Sequence, residues 1–159
     1  MIKMKLAFIV AILLGINVCS GQRVITNYLD RFVPVAKELS IKYGIPASII
    51  LGVSILESGS GTSRNCKQLN NYFGMTGSNS LKKRHSVYKQ YATAKDSFID
   101  FCNTLSGKKY YRSLKNNMSY QKWLVAMNHG NYAGAKGVWI SRVTSIIRKQ
   151  NLGLYDDKR

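Results

Sequence analysis

Acidic residues are scarce in this chain of 159 residues, which has seven Asp and Glu against 24 Lys and Arg and a formal net charge of +17. A field of this sign attracts polyanions and speeds encounters with them. The basic residues are spread along the chain, and the clusters at 82–84 and 108–109 are short. The charge therefore indicates anionic surroundings and does not single out nucleic acid as a specific partner.

Long apolar runs are limited to one, LAFIVAILLGINV at 6–18. It is shorter than the roughly 20 residues that span a bilayer. The basic stretch MIKMK precedes it and small residues follow, an order typical of a secretory signal. We therefore predict a signal peptide over 1–21 and an exported domain over 22–159. An uncleaved anchor is the alternative, and lipidation of Cys19 is disfavoured because Val18 is not the small residue that usually precedes a lipidated cysteine.

Cysteine and histidine are also rare. Without the leader two cysteines remain, Cys66 and Cys102, an even number for an oxidising compartment. A disulfide between them and two buried thiols both fit this count. His85 and His129 stand alone in the sequence, without the spacing of a metal site. We expect neither a metal nor a cofactor.

Apolar residues at three- and four-residue spacing predict a mainly helical domain. The predicted helices cover 26–43, a segment from Pro46 to Gly59, 95–105, 120–127 and 138–149. Pro34 is predicted to interrupt the first of them, and Gly44 to end it. The polar, Gly- and Asn-rich residues 64–92 predict loops with a small hairpin. The fold class is therefore α+β, mainly α, with a small β or irregular lobe.

Glutamate occurs only twice, as Glu38 and Glu57. Glu57 falls in the last turn of the second predicted helix, on the face that carries Ile50 and Val53, and a Ser/Gly turn follows it. Apolar neighbours and the helix C-terminus both favour the neutral form of a carboxyl, which a general acid requires near neutral pH. A turn cap or an ion pair explains the same residue equally well on this evidence.

Five segments, in order, resemble the N-acetylglucosaminidase domain of glycoside hydrolase family 73, the autolysin and flagellar-hydrolase group. The resemblance covers about residues 26 to 157. The segments are YGIPASIILGVSILESGSG (43–61), NNYFGMTG (70–77), YATAKDSFIDFCNTL (91–105), GNYAG (130–134) and SIIRKQNLGLYD (145–156). Their order and spacing, rather than any one motif, support the resemblance.

The resemblance implies a lysozyme-like fold and an exported peptidoglycan hydrolase that cleaves the β-1,4 bond after N-acetylglucosamine. The family's acid falls on Glu57, and its tyrosine near the reacting sugar falls on Tyr132. Its aromatic-Gly segment, which lines the groove, falls on Tyr72, Phe73 and Gly74. Phe73 fits the core as well as the groove.

Two departures from the family pattern affect the expected mechanism. The segment after Tyr132 lacks the usual Tyr-Ala-Thr-Asp-Pro. No Asp or Glu occurs from Ser58 to Lys95, so a second carboxylate in the lobe is excluded. The resemblance makes Asp96 and Asp100, further along, structural. We therefore expect substrate assistance by the 2-acetamido group of the sugar, oriented by Tyr132.

Three further aromatic residues are candidates for stacking on sugar rings, namely Tyr88, Tyr91 and Trp139. We expect a monomer that acts on peptidoglycan glycan strands, with anionic envelope polymers as further partners. The alternatives are a lytic transglycosylase, which leaves a 1,6-anhydro end, a non-catalytic cell-wall-binding module, and an exported protein that binds polyanions by charge alone.

Overall fold

The computed structural model describes residues 2–81, 86–132 and 136–156, with side chains over 21–81, 86–132 and 137–156. The basic cluster at 82–84, His85 and residues 133–135 of a predicted loop lie outside the described residues, as does the side chain of Cys19. Within the described ranges there are seven α-helices and one 3-10 helix. They are α1 (Ile2–Tyr43), α2 (Ala47–Ser58), α3 (Arg64–Leu69), α4 (Ala94–Ser106), α5 (Tyr111–Leu114), α6 (Tyr120–His129), α7 (Lys136–Lys149) and the 3-10 helix (Leu152–Tyr155).

Helix α1 continues through Pro34, so the predicted interruption is wrong. A proline inside a helix removes one backbone hydrogen bond to the carbonyl four residues earlier, here that of Asp30. Both residues are exposed, so water can satisfy that carbonyl. Phe32 and Leu39 are buried in the core and hold the helix against the rest of the domain. Packing of this face therefore outweighs the local preference of proline.

Gly44 ends α1 as predicted. Its φ of +66° lies in the left-handed region, and its N–H donates to the carbonyl of Ser40 at 2.8 Å. A Cβ at this position would lie 2.8 Å from the backbone nitrogen of Asn116. Both the backbone conformation and the close approach of another segment require glycine here.

Helix α2 is the central element of the core. Ten of its twelve residues are buried, and it packs against α1 and α7. Pro46, which precedes the helix, offers no capping side chain. Asp156, far along the chain, supplies the cap: its carboxylate accepts from the backbone N–H of Ser48 at 2.8 Å and from the Ser48 hydroxyl at 2.6 Å. At the other end Gly59 takes a left-handed conformation and terminates the helix, as predicted.

The lobe over residues 64–92 is less regular than a small sheet. The short helix α3 begins it, where loops were predicted, because Ser63 caps the backbone N–H of Cys66. The only β pairing in the described part of the chain is one antiparallel bridge between Thr76 and Tyr88. The segment around Tyr88 thus pairs with residues 75–78 instead of folding into a hairpin of its own. The mainly helical prediction is confirmed, and the β component is reduced to this bridge.

Cys66 and Cys102 are free, buried thiols, so the structure supports the two-thiol alternative over the disulfide. Burial raises the pKa of both thiols, which keeps them protonated. The Cys66 thiol donates to the carbonyl of Asn71 at 3.5 Å, while Cys102 belongs to the core face of α4.

Over the described residues, none of the helices combines the length and hydropathy needed to cross a bilayer. The signal peptide over 1–21 and the absence of a metal both stay predictions.

Candidate active site

A groove of about 520 Å³ lies between the helical body and the lobe, a volume within the usual range of small-molecule and substrate sites. The helical body contributes Leu56, Glu57, Thr104, Lys108, Trp139 and Arg142. The lobe and the segment after α6 contribute Phe73, Gly74, Met75, Thr76, Tyr88, Asn131 and Tyr132. Glu57 is the one acidic side chain among these described lining residues.

Glu57 stands in the last turn of α2, where the buried helix reaches the groove. Its carboxylate oxygen Oε1 accepts a hydrogen bond from the indole N–H of Trp139 at 3.0 Å. Trp139 is itself buried on α7, so its indole is fixed by packing. The two residues are 82 positions apart, and the contact between α2 and α7 brings them together. The carboxylate is therefore held in one orientation at the wall of the groove.

The surroundings of Glu57 differ from those predicted from its helix face. Ile50 and Val53 are fully buried beneath it, whereas Glu57 itself is exposed to the groove. The apolar residues of the face therefore support the helix and do not enclose the carboxyl. The rings of Trp139 and Tyr132 are among the apolar groups that line the groove with the carboxyl.

Tyr132 lies beside Glu57 and packs between two aromatic rings. Its ring centroid is 5.3 Å from that of Trp139 and 5.8 Å from that of Phe101. The residue is partly buried, but its hydroxyl oxygen is enclosed and has no hydrogen-bond partner among the described residues. Burial, and then the negative charge of Glu57, raise the pKa of Tyr132 well above its ordinary value. The hydroxyl is therefore a protonated donor with an unused hydrogen bond.

Four of the remaining candidate residues line the groove, namely Phe73, Gly74, Tyr88 and Trp139. Phe73 does so while buried, since its ring stacks on Phe101 at 4.1 Å; it belongs to the core and to the groove wall at once. Trp139 was expected to offer a stacking face to a sugar. In the structure its indole donates to Glu57 and its ring packs against Tyr132, and stacking on a sugar stays a prediction.

Tyr72 lies in the core and not in the groove, which corrects its predicted place. Its ring packs against Phe32 at 5.0 Å and Phe98 at 5.6 Å. Its backbone N–H donates to the buried hydroxyl of Ser97 on α4 at 3.0 Å. The Tyr72 ring therefore anchors the lobe to the core, and the ring of the adjacent Phe73 lines the groove.

Tyr91 is also outside the groove, contrary to its prediction. It is buried, and its hydroxyl donates to Asp100 at 2.7 Å; Lys89 forms an ion pair with the same carboxylate at 2.9 Å. Burial, followed by the neighbouring Asp100, raises the pKa of Tyr91. Burial would raise the pKa of Asp100 too, but the hydrogen bonds from Lys89 and Tyr91 outweigh it and lower that pKa. Asp100 therefore joins the lobe to α4.

Asp96 has the structural position that the resemblance implied. Its side chain accepts from the backbone N–H of Thr93 at 2.9 Å, while the Thr93 hydroxyl accepts from the backbone N–H of Asp96 at 3.2 Å. This reciprocal capping box begins α4. Neither Asp96 nor Asp100 lines the groove.

Several groove residues were not predicted from the sequence, and two of them are cationic. Arg142 lies three residues after Trp139 on α7, so the two side chains share a helix face. A prediction that Trp139 lines the groove therefore also implies that Arg142 lines it. Lys108 lies in the turn after α4, and no spacing in the sequence indicates that it lines the groove. The rest of the unpredicted lining consists of Leu56, Met75, Thr76, Thr104 and Asn131.

Comparison with known proteins identifies the chain as a glycoside hydrolase. A family model named Glucosaminidase, described as mannosyl-glycoprotein endo-beta-N-acetylglucosaminidase, matches residues 33–152, which is most of the chain. The protein therefore belongs to the glucosaminidase family, and the resemblance seen in its five segments is confirmed. A search of curated proteins found no match.

Solved structures of this fold include the catalytic domain of the autolysin Auto from Listeria monocytogenes. It is 24% identical, with a TM-score of 0.69 over 84% of this chain and 88% of that one. The glycoside hydrolase domain of FlgJ from Salmonella typhimurium is 21% identical (TM-score 0.63, 80% and 88% covered). A peptidoglycan hydrolase from Sphingomonas sp. A1 is 19% identical (TM-score 0.63, 84% and 96% covered). At these identities the likeness establishes the fold.

Proposed function

We propose that this glycoside hydrolase cleaves the β-1,4 bond that follows N-acetylglucosamine in peptidoglycan, with Glu57 as the general acid. The observation that carries the proposal is the single carboxylate of the groove, oriented by the indole N–H of Trp139 at 3.0 Å. The family match supports the bond type. The proteins of similar fold include a peptidoglycan hydrolase from Sphingomonas and an autolysin from Listeria, which supports the choice of polymer.

The first step uses the proton of Glu57. The carboxyl donates it to the glycosidic oxygen as the bond from that oxygen to the anomeric carbon breaks. The carbonyl oxygen of the 2-acetamido group attacks the same carbon from the opposite side and forms an oxazolinium ion. The Glu57 carboxylate then takes a proton from the water that opens this ion, and the product retains its anomeric configuration.

Substrate assistance is proposed because the described lining holds no second carboxylate. Asp96 and Asp100, the next carboxylates along the chain, are engaged in capping α4 and in joining the lobe to it. A two-carboxylate mechanism places its groups on opposite faces of the sugar, about 5 to 9.5 Å apart. The acetamido group of the substrate supplies the nucleophile that this groove lacks.

Tyr132 is proposed to orient that acetamido group. Its ring lines the groove and its hydroxyl is a protonated donor with no partner in the described part of the chain. A buried donor left without a partner costs on the order of 1–3 kcal/mol. Because that hydroxyl is enclosed, the side chain must turn toward the groove before a substrate amide can accept its hydrogen bond, and that bond would recover this free energy.

Export follows from the proposed polymer, which lies outside the cytoplasmic membrane. The predicted signal peptide is consistent with it, and the net charge of +17 suits a protein that works among anionic envelope polymers. We propose that the domain acts as a monomer there.

The test is digestion of purified peptidoglycan with analysis of the new ends by mass spectrometry. The expected product has a reducing N-acetylglucosamine end. A 1,6-anhydro end on muramic acid would identify a lytic transglycosylase instead. Product configuration, followed by NMR, tests the mechanism, since inversion excludes substrate assistance. Native protein that binds peptidoglycan without turnover would support the cell-wall-binding module, and binding of any polyanion that is lost steeply with salt would support association by charge alone.

A further inference from the structure

We propose that Lys108 and Arg142 form a carboxylate-binding pair in the groove, which makes the enzyme selective for glycan strands whose peptide stems carry free carboxylates. This inference rests on the proposed function and names the substrate class within it. The two residues line the same groove as Glu57 but come from different elements: Arg142 from α7 and Lys108 from the turn after α4.

The first argument is that neither cation forms an ion pair with any residue that the structure describes. The ion pairs formed by described residues join Lys89 to Asp100 and Lys95 to Glu38, and neither involves the groove. Glu57, the acidic lining residue, is bonded to Trp139 and forms no ion pair with Lys108 or Arg142. Both side chains are exposed to the groove, so their charges are available to a ligand.

The second argument is the chemistry of the ligand. A strand of N-acetylglucosamine alone is neutral, and its hydroxyl and amide groups do not need two full positive charges. In peptidoglycan the sugar on the other side of the cleaved bond is N-acetylmuramic acid, whose lactyl group carries a peptide stem with carboxylates. The lactyl carboxyl itself is used in the amide bond to the stem, so the free carboxylates are those of stem residues that are not amidated, and they are attached to the sugar that borders the scissile bond. Hydrogen bonds between such a group and Lys or Arg are stronger than bonds between neutral groups.

The third argument is the position of Arg142. It lies one helical turn after Trp139, on the face that meets the groove, and Trp139 in turn positions the catalytic carboxylate. A stem carboxylate bound by Arg142 would be held in fixed register with Glu57. Lys108 presents a second charge from the turn after α4. A strand lying in the groove therefore meets one cation from α7 and another from that turn.

The experiment compares two solubilised substrates that differ only in charge. One is stem-bearing glycan strands with free carboxylates, and the other is the same strands with the carboxylates converted to primary amides. For each, kcat/KM is measured with native protein and with the double variant Lys108→Gln/Arg142→Gln. We expect native protein to prefer the free-carboxylate strands by about tenfold at low ionic strength, since each exposed ion pair is weak and two of them act together. The double variant should cleave both substrates at similar rates, and added salt should reduce the native preference.

The matched control is the double variant Lys109→Gln/Arg148→Gln. Lys109 adjoins Lys108 and Arg148 lies on α7, both are exposed, and neither lines the groove. This variant removes the same two charges from the protein as a whole. It should keep the native preference, because the effect depends on charges inside the groove. Loss of the preference in the control would assign it to net charge and overturn the inference.

Two other outcomes would also overturn it. Equal cleavage of both substrates by native protein would show that stem carboxylates are not recognised. An equal loss on both substrates in the Lys108/Arg142 variant would show that these cations act on the catalytic step or on folding. Failure of native protein to cleave either substrate would instead count against the proposed function itself.

Discussion

The two sides of the groove are built in different ways. The helical side carries Glu57 and Trp139 on α2 and α7, whose packed faces are fully buried. The lobe opposite contributes Phe73, Gly74 and Tyr88 from a segment with one β bridge among its described residues. Regular, buried elements hold the groups that need a fixed geometry for chemistry. The irregular side supplies contact surface.

The lobe is held in place largely by side chains that hydrogen-bond to its backbone, where a β-sheet would use backbone–backbone hydrogen bonds. Asn71 is buried, and its amide group donates to the carbonyls of Met75 and Lys89 at 2.8 and 2.7 Å. Its carbonyl oxygen accepts from the N–H of Met75 at 3.1 Å. These bonds satisfy backbone groups that a sheet would otherwise pair. One buried asparagine, Asn71, is thus enough to hold the backbone of the lobe in place. The position of the Glu57 carboxylate depends instead on the packing of two helices, α2 and α7.

The largest expected effect falls on the helical side. Glu57→Gln removes the proton donor and should lower kcat by about 10³-fold, within the range of general acid catalysis, with unchanged thermal stability. The matched control is Glu38→Gln, the other glutamate, which pairs with Lys95 on the exposed surface. That variant should keep native activity. Retained activity in Glu57→Gln would remove the basis of the proposed mechanism.

The next effect falls on the lobe. Asn71→Ala leaves buried carbonyls without donors and should lower the free energy of unfolding by about 2–3 kcal/mol, measured by denaturant titration. Amide exchange at Lys89 should accelerate with it, because that N–H pairs with Met75 inside the lobe. Asn79→Ala, which also removes three side-chain bonds but from a less buried asparagine, should cost under about 1 kcal/mol. Equal costs for the two variants would show that burial does not decide the effect.

A smaller effect tests how the acid is held. Trp139→Phe keeps an aromatic ring but removes the N–H that Glu57 accepts, and we expect kcat to fall by about tenfold with little change in KM, since one hydrogen bond to a charged group contributes about 1.5 kcal/mol. Trp123→Phe is the control, because its indole N–H donates to the carbonyl of Asn117, away from the groove. It should lower stability and leave kcat unchanged. A kcat equal to native in Trp139→Phe would show that the indole is not a positioning group.

The smallest effect is a pH dependence of stability. The folded-state pKa of Asp100 is lowered, so its stabilising bonds to Lys89 and Tyr91 are fully present above the unfolded value near 4 and are lost as pH falls through the folded pKa. Asp100→Asn should remove up to about 1 kcal/mol at pH 7 and flatten the decline in stability below about pH 4. Urea titrations of native protein and of the variant at a series of pH values measure the free energy of unfolding and its decline in acid. An acid decline as steep as that of native protein would place the titrating group elsewhere.

The helices could be predicted from the sequence because their determinants are local: apolar spacing, Gly44 and Gly59 identify α1 and α2 and their ends. The assignment of Glu57 as the acid came from the family resemblance, because the local pattern fits a turn cap or an ion pair equally well, and it stays a prediction. Two predictions were wrong where local and long-range effects compete. Pro34 does not break α1, because the core packs the helix on both sides of it, and Tyr72 points into that core because Phe98 meets it there.

The sequence by itself determined the helical class, which follows from apolar spacing within each helix, and the family, which follows from the order and spacing of five segments. It also supplied the proposal that Glu57 is the general acid. Only the tertiary structure decided what Glu57 contacts, which aromatic rings line the groove and which cations join them. Those outcomes depend on residues about 80 to 110 positions apart, such as Trp139 against Glu57 and Asp156 on Ser48. Periodicity along one helix specifies which face is buried, but not which side chain of another helix will meet it.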